Sequence, residues 1–135
     1  MYLLDTNVIS ELRKNKPHGA VIAWIEGVAE QDLYLSAVSI AEIQAGIEIT
    51  KEQDSKKAME LEHWLDLLCQ SYHILPMDAV TFRTWARLMH RTSDTLYEDA
   101  MIAATAKTHH LTVVTRNVID FKSFDVPLLN PFETR

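Results

Sequence analysis

At 135 residues the chain suffices for one domain, 1–135, that buries roughly two-thirds of the surface its unfolded form would expose; three glycines and four prolines leave no low-complexity linker, and no internal repeat is present. The net charge of −6, from 13 Lys and Arg against 19 Asp and Glu, argues against a protein that grips nucleic acid through a general basic surface. No apolar run approaches the about 18 residues of a membrane span and no leader pattern precedes the first strand, so a cytoplasmic protein without a membrane partner is expected, while the lone Cys69 excludes an internal disulfide and a thiolate zinc site.

The first element is a short apolar run, Tyr2 to Leu4, which reads as a buried strand. It delivers Asp5 to the strand's C-terminal end, where open α/β sheets bind ligands. Asp5, Thr6 and Asn7 are also the residue types that cap a strand-to-helix turn, so capping and function both remain open here. A short helix from Asn7 to Arg13 breaks in Lys14-Asn15-Lys16-Pro17, and a second runs from about His18 to Val28 with Val21, Ile22, Trp24, Ile25 and Val28 at helical spacing.

Leu33-Tyr34-Leu35 is the next strand, feeding a helix from about Ala37 to Lys51. Its apolar residues Val38, Ile40, Ala41, Ile43, Ala45, Ile47 and Ile49 cover much of the circumference, which predicts a mostly buried helix. Glu42 interrupts them. It completes a capping box with Ser39, or it projects to the same edge as Asp5, where an ionised carboxylate is costly unless paired or metal-bound. A charged turn over 51–57 leads to a helix from Ala58 to Gln70 with Leu61, Trp64, Leu65 and Leu68 inward, and Cys69 is assigned to the same core.

Ser71 to Leu75 reads as a third strand, closed by Pro76. Asp78 then caps a helix to about Arg91, on which Arg83, Arg87 and Arg91 fall at i, i+4 and i+8 beside His90, a solvated face or a surface that tracks phosphates. After a turn over 92–96, the helix from Tyr97 to Lys107 is apolar almost all round and is predicted to be central. Thr95 and Glu98 form a capping box at its start, giving Glu98 a structural role first. Asp99 opens the buried part with no partner on its own face, a position where the helix N-terminus offsets only about 0.3 to 1 kcal/mol. His109-His110 suits the helix C-terminus. Leu111 to Thr115 is a β-branched, buried parallel strand, followed by Arg116 to Phe121 where the first strand had Asp5-Thr6-Asn7; Val126 to Leu129 reads as a last edge strand.

Taken together, Leu3-Leu-Asp-Thr-Asn-Val-Ile-Ser-Glu-Leu12, Leu33-Tyr-Leu-Ser-Ala-Val-Ser-Ile-Ala-Glu42, Asp99-Ala-Met-Ile-Ala-Ala-Thr-Ala106, Leu111-Thr-Val-Val-Thr-Arg-Asn-Val-Ile-Asp-Phe121 and Leu128-Leu-Asn-Pro-Phe132 resemble the PIN-domain nucleases, specifically the VapC-like and FitB-like toxins of bacterial toxin–antitoxin modules. The resemblance spans the chain. It implies an α/β, PIN-like fold with a central, mostly parallel four- to five-stranded sheet flanked by helices. It also implies a type II toxin that hydrolyses RNA as an endoribonuclease, leaving a 5′-phosphate and a 3′-hydroxyl. The family's four acids fall on Asp5, Glu42, Asp99 and Asp120 as catalytic and metal-binding residues, with Thr6, Asn7 and Asn117 as polar support. Asn117 is able to share or take the role of Asp120, and Glu98 is an extra outer carboxylate or only the cap described above.

Oxygen-only donors of this kind select Mg²⁺ or Mn²⁺ over zinc. Such ions activate water, and a pair about 3.5 to 4 Å apart stabilises the attacking and leaving oxygens of an in-line displacement. Arg83, Arg87, Arg91 and Arg116 are the candidate RNA contacts. The resemblance further implies a homodimer, a cognate antitoxin that binds and inhibits the chain, and operator DNA reached only through that antitoxin. A noncatalytic PIN-like module that binds RNA or protein is the alternative. A phosphatase or phospho-acceptor domain fits less well, since Asp5-Thr6-Asn7 lacks a second aspartate two positions on and no lysine matches a receiver domain.

Overall fold

The computed structural model describes residues 1–133. Five strands form one parallel sheet: β1 (Tyr2–Leu4), β2 (Leu33–Ser36), β3 (His73–Leu75), β4 (Thr112–Val114) and β5 (Leu128–Leu129), in the order β3-β2-β1-β4-β5. Leu3 pairs with Tyr34 on one side and Val113 on the other, so β1 lies at the centre and is buried on both faces. That is why its sequence is continuously apolar rather than alternating. The strand order reverses beside β1, which creates a crevice beyond the C-terminal ends of β1 and β4. Asp5 stands there, its backbone N–H donating to the Val114 carbonyl at 2.9 Å.

The helices are α1 (Thr6–Ile9, continued by a 3₁₀ turn over Ser10–Arg13), α2 (Gly19–Glu26), α3 (Ala37–Gln53), α4 (Ser55–Ser71), α5 (Ala79–Met89), α6 (Tyr97–His109) and α7 (Val118–Phe121). None is long and apolar enough to cross a membrane. One core, on the face carrying α2, α3 and α4, gathers Leu4, Val8, Ile9, Val21, Leu35, Ile47 and Leu65. The other gathers Leu3, Ile102, Val113, Phe121 and Phe124 around α6. A run of five buried residues, Ile102 to Ala106, with Ala100 before it, four of the six being alanine, lets α6 lie close on the sheet as its sequence predicts.

Two burial expectations are corrected. α3 is not mostly buried: among its residues only Ser39 and Ile47 are fully inside, and Ile49 is 63% exposed, because α3 pairs with α4 and gives only one stripe to the sheet. Cys69 is exposed, since α4 turns Ala58, Leu65 and Leu68 inward and residue 69 lies round the helix from them. Two capping boxes are also absent. Ser36, accepting from the Val38 N–H at 3.1 Å, caps α3 in place of Ser39, because the helix begins one turn earlier. α6 has no side-chain cap, and the Thr95 hydroxyl instead bonds with Ser93 at 2.9 Å. Asp78 does cap α5, accepting from the Thr81 N–H at 2.9 Å.

Between α1 and α2, Glu11 is 6% exposed and accepts from the Lys14 ammonium and from the His18 N–H at 2.9 Å. The Lys14 and His18 contacts hold its carboxyl below the ordinary range. Glu11→Ala is expected to cost about 1 to 3 kcal/mol, the range for a buried charge-assisted hydrogen bond. A depressed folded pKa stabilises the fold above the unfolded value and loses that contribution as pH falls through the folded one. Urea melts of the parent and variant therefore converge below about pH 4.

Candidate active site

The acids reach the crevice from four elements. Asp5 leaves the end of β1, Glu42 sits one turn into α3, Glu98 and Asp99 open α6, and Asp120 lies in α7 after β4. Asp5 is only 4% exposed and is held on both oxygens: Oδ1 accepts from the Thr6 N–H at 2.8 Å, and Oδ2 accepts from the Thr115 hydroxyl at 2.8 Å and the Asn7 amide at 3.3 Å. Capping and site construction are thus the same set of contacts, since the Asp5 side chain also caps α1. Asn7 ties the two loops together, its Oδ1 accepting from the Arg116 N–H at 3.2 Å.

Thr6 and Ser39 form a second support. The Thr6 hydroxyl lies 2.8 Å from Ser39 Oγ and 3.2 Å from Glu42 Oε1. Thr6 has one hydroxyl proton to donate, shared between Ser39 Oγ and the Glu42 carboxyl. Glu42 is therefore turned toward the Asp5 end of the crevice rather than back on its own helix.

The acids also sense one another. Burial, followed by the Glu98 charge and a hydrogen bond with the Glu98 carboxyl, pushes Glu42 up to about 7. Burial together with the charges of Asp5, Asp120 and Glu98 raises Asp99 to about 6. Burial raises Asp5 as well, although the Thr115, Thr6 and Asn7 donors pull the other way. The described ion pairs, Lys14 with Glu11, Lys51 with Glu48 and Lys57 with Glu60, leave all of these acids without a protein cation. Among the described residues no three acids or imidazoles are drawn into a ready-made ligand trio. Like charges disfavour closer approach of the carboxylates; Asp5 and Glu42 turn to hydroxyl and amide donors, and Glu98 accepts from the Tyr97 hydroxyl at 2.9 Å.

The donor set is oxygen throughout, with no histidine or cysteine beside it, which fits a hard divalent cation. Asp5, Glu42, Asp99, Asp120 and Glu98 are brought together, with Thr6 and Asn7 inside the network. Asn117 is exposed and contributes its backbone N–H to Thr115 Oγ1 at 3.0 Å. Arg116 is exposed at the rim, with its guanidinium 4.7 Å over the Phe132 ring. Arg83 and Arg87 are exposed on α5, but the stripe does not extend to Arg91: α5 ends at Met89, and Arg91 has φ 65°, off the helical line.

Thr115 and Ser39 are the site residues that sequence reasoning missed. Both are fully buried hydroxyls in otherwise apolar surroundings, and the signal for Thr115 was a polar residue ending a β-branched strand beside Arg116-Asn117.

Comparison with known proteins places the chain among relatives. The family model described as PIN domain matches residues 2–126. The chain is 36% identical to Toxin FitB of Neisseria gonorrhoeae, covering 98% of this chain and 99% of that protein. It is also 36% identical to VapC ribonuclease Y4jK of Sinorhizobium fredii, with the same coverage of 98% and 99%. The crystal structure of FitAcB from Neisseria gonorrhoeae superposes with a TM-score of 0.88 at 35% identity, covering 99% of this chain and 100% of that one.

Proposed function

The chain belongs to the PIN-domain family and is a ribonuclease toxin of a toxin–antitoxin pair, and we propose that it cuts RNA as an endoribonuclease with Mg²⁺ or Mn²⁺ held by Asp5, Glu42, Asp99 and Asp120. One observation supports this reading: carboxylates from four elements face one crevice closely enough that burial and mutual repulsion raise Glu42 and Asp99, with no ion-pair partner for them among the described residues. When bound, the metal activates water and offsets the charge that builds on the phosphodiester. Asp5, fixed on both oxygens, sets the orientation of the centre. Glu42 receives its hydrogen bond from Thr6, and Glu98 stands beside it as an outer carboxylate. Asn117 braces Thr115 through its backbone while Asp120 completes the acids from the β4 side.

In this reading residues 1–135 form one PIN domain that acts in the cytoplasm. Its partner is a cognate antitoxin that inhibits it, and operator DNA is reached through that antitoxin. A basic side chain from the antitoxin suits the uncompensated acids. The working form is a homodimer. Arg83, Arg87 and Arg116 supply phosphate contacts.

The test is cleavage of structured RNA with Mg²⁺ or Mn²⁺, then with excess EDTA. Cleavage is expected only with free divalent ion; a rate untouched by EDTA ends the metal reading. In the same assay Arg83→Ala with Arg87→Ala is expected to weaken RNA binding and shallow its salt dependence by about two units in log-log slope, with metal binding unchanged.

A further inference from the structure

A groove leaves the acid cluster along α3. One wall is α1 and the 3₁₀ turn after it, which presents Thr6, Ser10 and Arg13; the other is α3, which presents Glu42, Gly46 and Thr50. Its floor is apolar, from Ile43, Ile47 and Leu61, and it encloses about 270 Å³. Thr50 lies eight positions beyond Glu42 on the helix, so the groove runs about 12 Å from the acids to its far end. Thr6 and Glu42, hydrogen-bonded at 3.2 Å, belong to the active site and close its near end. Arg13 is exposed and in no ion pair among the described residues.

We propose that this groove is the subsite for the nucleotide adjacent to the scissile phosphate, with Arg13 binding the distal phosphate of that nucleotide. The inference rests on the ribonuclease reading and gives it a substrate-binding arm. Charge selects the occupant: the groove is acidic where the metal-bound scissile phosphate belongs and cationic at its other end, the polarity a strand with phosphates at both ends of one sugar requires. Volume limits it to one residue of the strand, because 270 Å³ lies just below the range of about 300 to 1,000 Å³ for small-molecule sites. The apolar floor offers a face for the sugar and base, and a hydroxyl on each wall, Ser10 and Thr50, offers polar contacts. Gly46 makes the room. A Cβ added there meets no atom within 4 Å, so its missing side chain widens the groove without serving the packing of the fold.

The experiment measures cleavage of an RNA oligonucleotide by the parent, Arg13→Ala, Arg13→Lys and Gly46→Trp, with Mn²⁺ binding followed separately by electron paramagnetic resonance. Arg13→Ala is expected to raise KM about five- to tenfold and to lower the salt slope by about one, with Arg13→Lys recovering most of the loss. Gly46→Trp fills the groove and is expected to raise KM at least as far, while its melting temperature stays at or above the parent's because the new side chain enters open space and glycine leaves a helix. All variants keep the parent's Mn²⁺ affinity. Shortening the RNA from the end the groove holds, found by comparing 5′- and 3′-trimmed strands, raises the parent's KM to that of Arg13→Ala and erases the difference between them. Unchanged KM in both Arg13→Ala and Gly46→Trp overturns the subsite, and so does weakened Mn²⁺ binding, which moves these residues' effect to the metal centre. A parent that cleaves no RNA with either metal overturns the ribonuclease reading and the subsite together, a result distinct from cleavage with KM unchanged.

Discussion

Asp99→Asn is expected to slow RNA cleavage by about 100- to 1,000-fold, the usual cost of removing one group aimed at developing charge, and at the same time to make the metal-free protein more stable. The two effects share a cause. Asp99 stands at the start of α6 among Asp5, Asp120 and Glu98, and burial with their charges raises its carboxyl to about 6. A folded pKa above the unfolded value means the folded state prefers the protonated acid. Its contribution is complete below about pH 4 and is lost as pH rises through 6. At pH 8 the parent therefore carries a charge its own fold resists, and asparagine removes it at nearly constant shape.

After discounting for solvent screening of a half-buried group, the gain is about 1 kcal/mol, or roughly 3 to 5 °C in melting temperature for a chain of this size. Calorimetry in EDTA at pH 8 reads it directly. The difference is expected to shrink at pH 5, where Asp99 in the parent is mostly protonated, and to reverse with Mg²⁺, which stabilises the parent by binding its folded state. An Asp99→Asn protein that cleaves at the parent's rate, or melts lower at pH 8 in EDTA, contradicts the site.

Phe121→Ala carries the largest expected cost in stability, about 3 to 5 kcal/mol, against a total of about 5 to 15 kcal/mol for an ordinary domain. Its ring is fully buried beside Leu3 and Ala103 and meets Phe124 edge-on at 6.1 Å. α7 is four residues long, too short to hold itself as a helix, so this anchor is what keeps its single turn, and Asp120 with it, against the crevice. Urea denaturation checks the first effect, and Mn²⁺ titration under conditions where the variant is folded checks the second, a weakened affinity with all four acids still present. Ile119→Ala is the control. Its side chain is 78% exposed two positions away, and a change within about 0.5 kcal/mol is expected. Equal losses at 119 and 121 refute the anchoring role.

These consequences were unevenly legible in the sequence. The apolar runs Tyr2–Leu4 and Thr112–Val114 announce buried parallel strands, and a carboxylate following the first of them points at the ligand crevice before any coordinates exist. Asp99 stood out because its own helix face offered no partner. Helix limits were readable to within a turn, while the capping boxes at Ser39 and Thr95 were not, since several hydroxyls near a helix start compete and only the final φ and ψ values choose among them.

What the sequence determined by itself is the main strands and helices and the acids delivered to strand ends and helix starts, because periodicity, β-branching and residue type act over a few neighbouring residues. Tertiary structure alone decided that Thr115, 110 residues from Asp5, aims its hydroxyl at that carboxylate, that Glu98 turns to Glu42, that Arg91 leaves the line of Arg83 and Arg87, and that Cys69 and Ile49 face outward. Burial, shared protons and repulsion depend on which distant segments pack together, and no local stretch of chain holds that information.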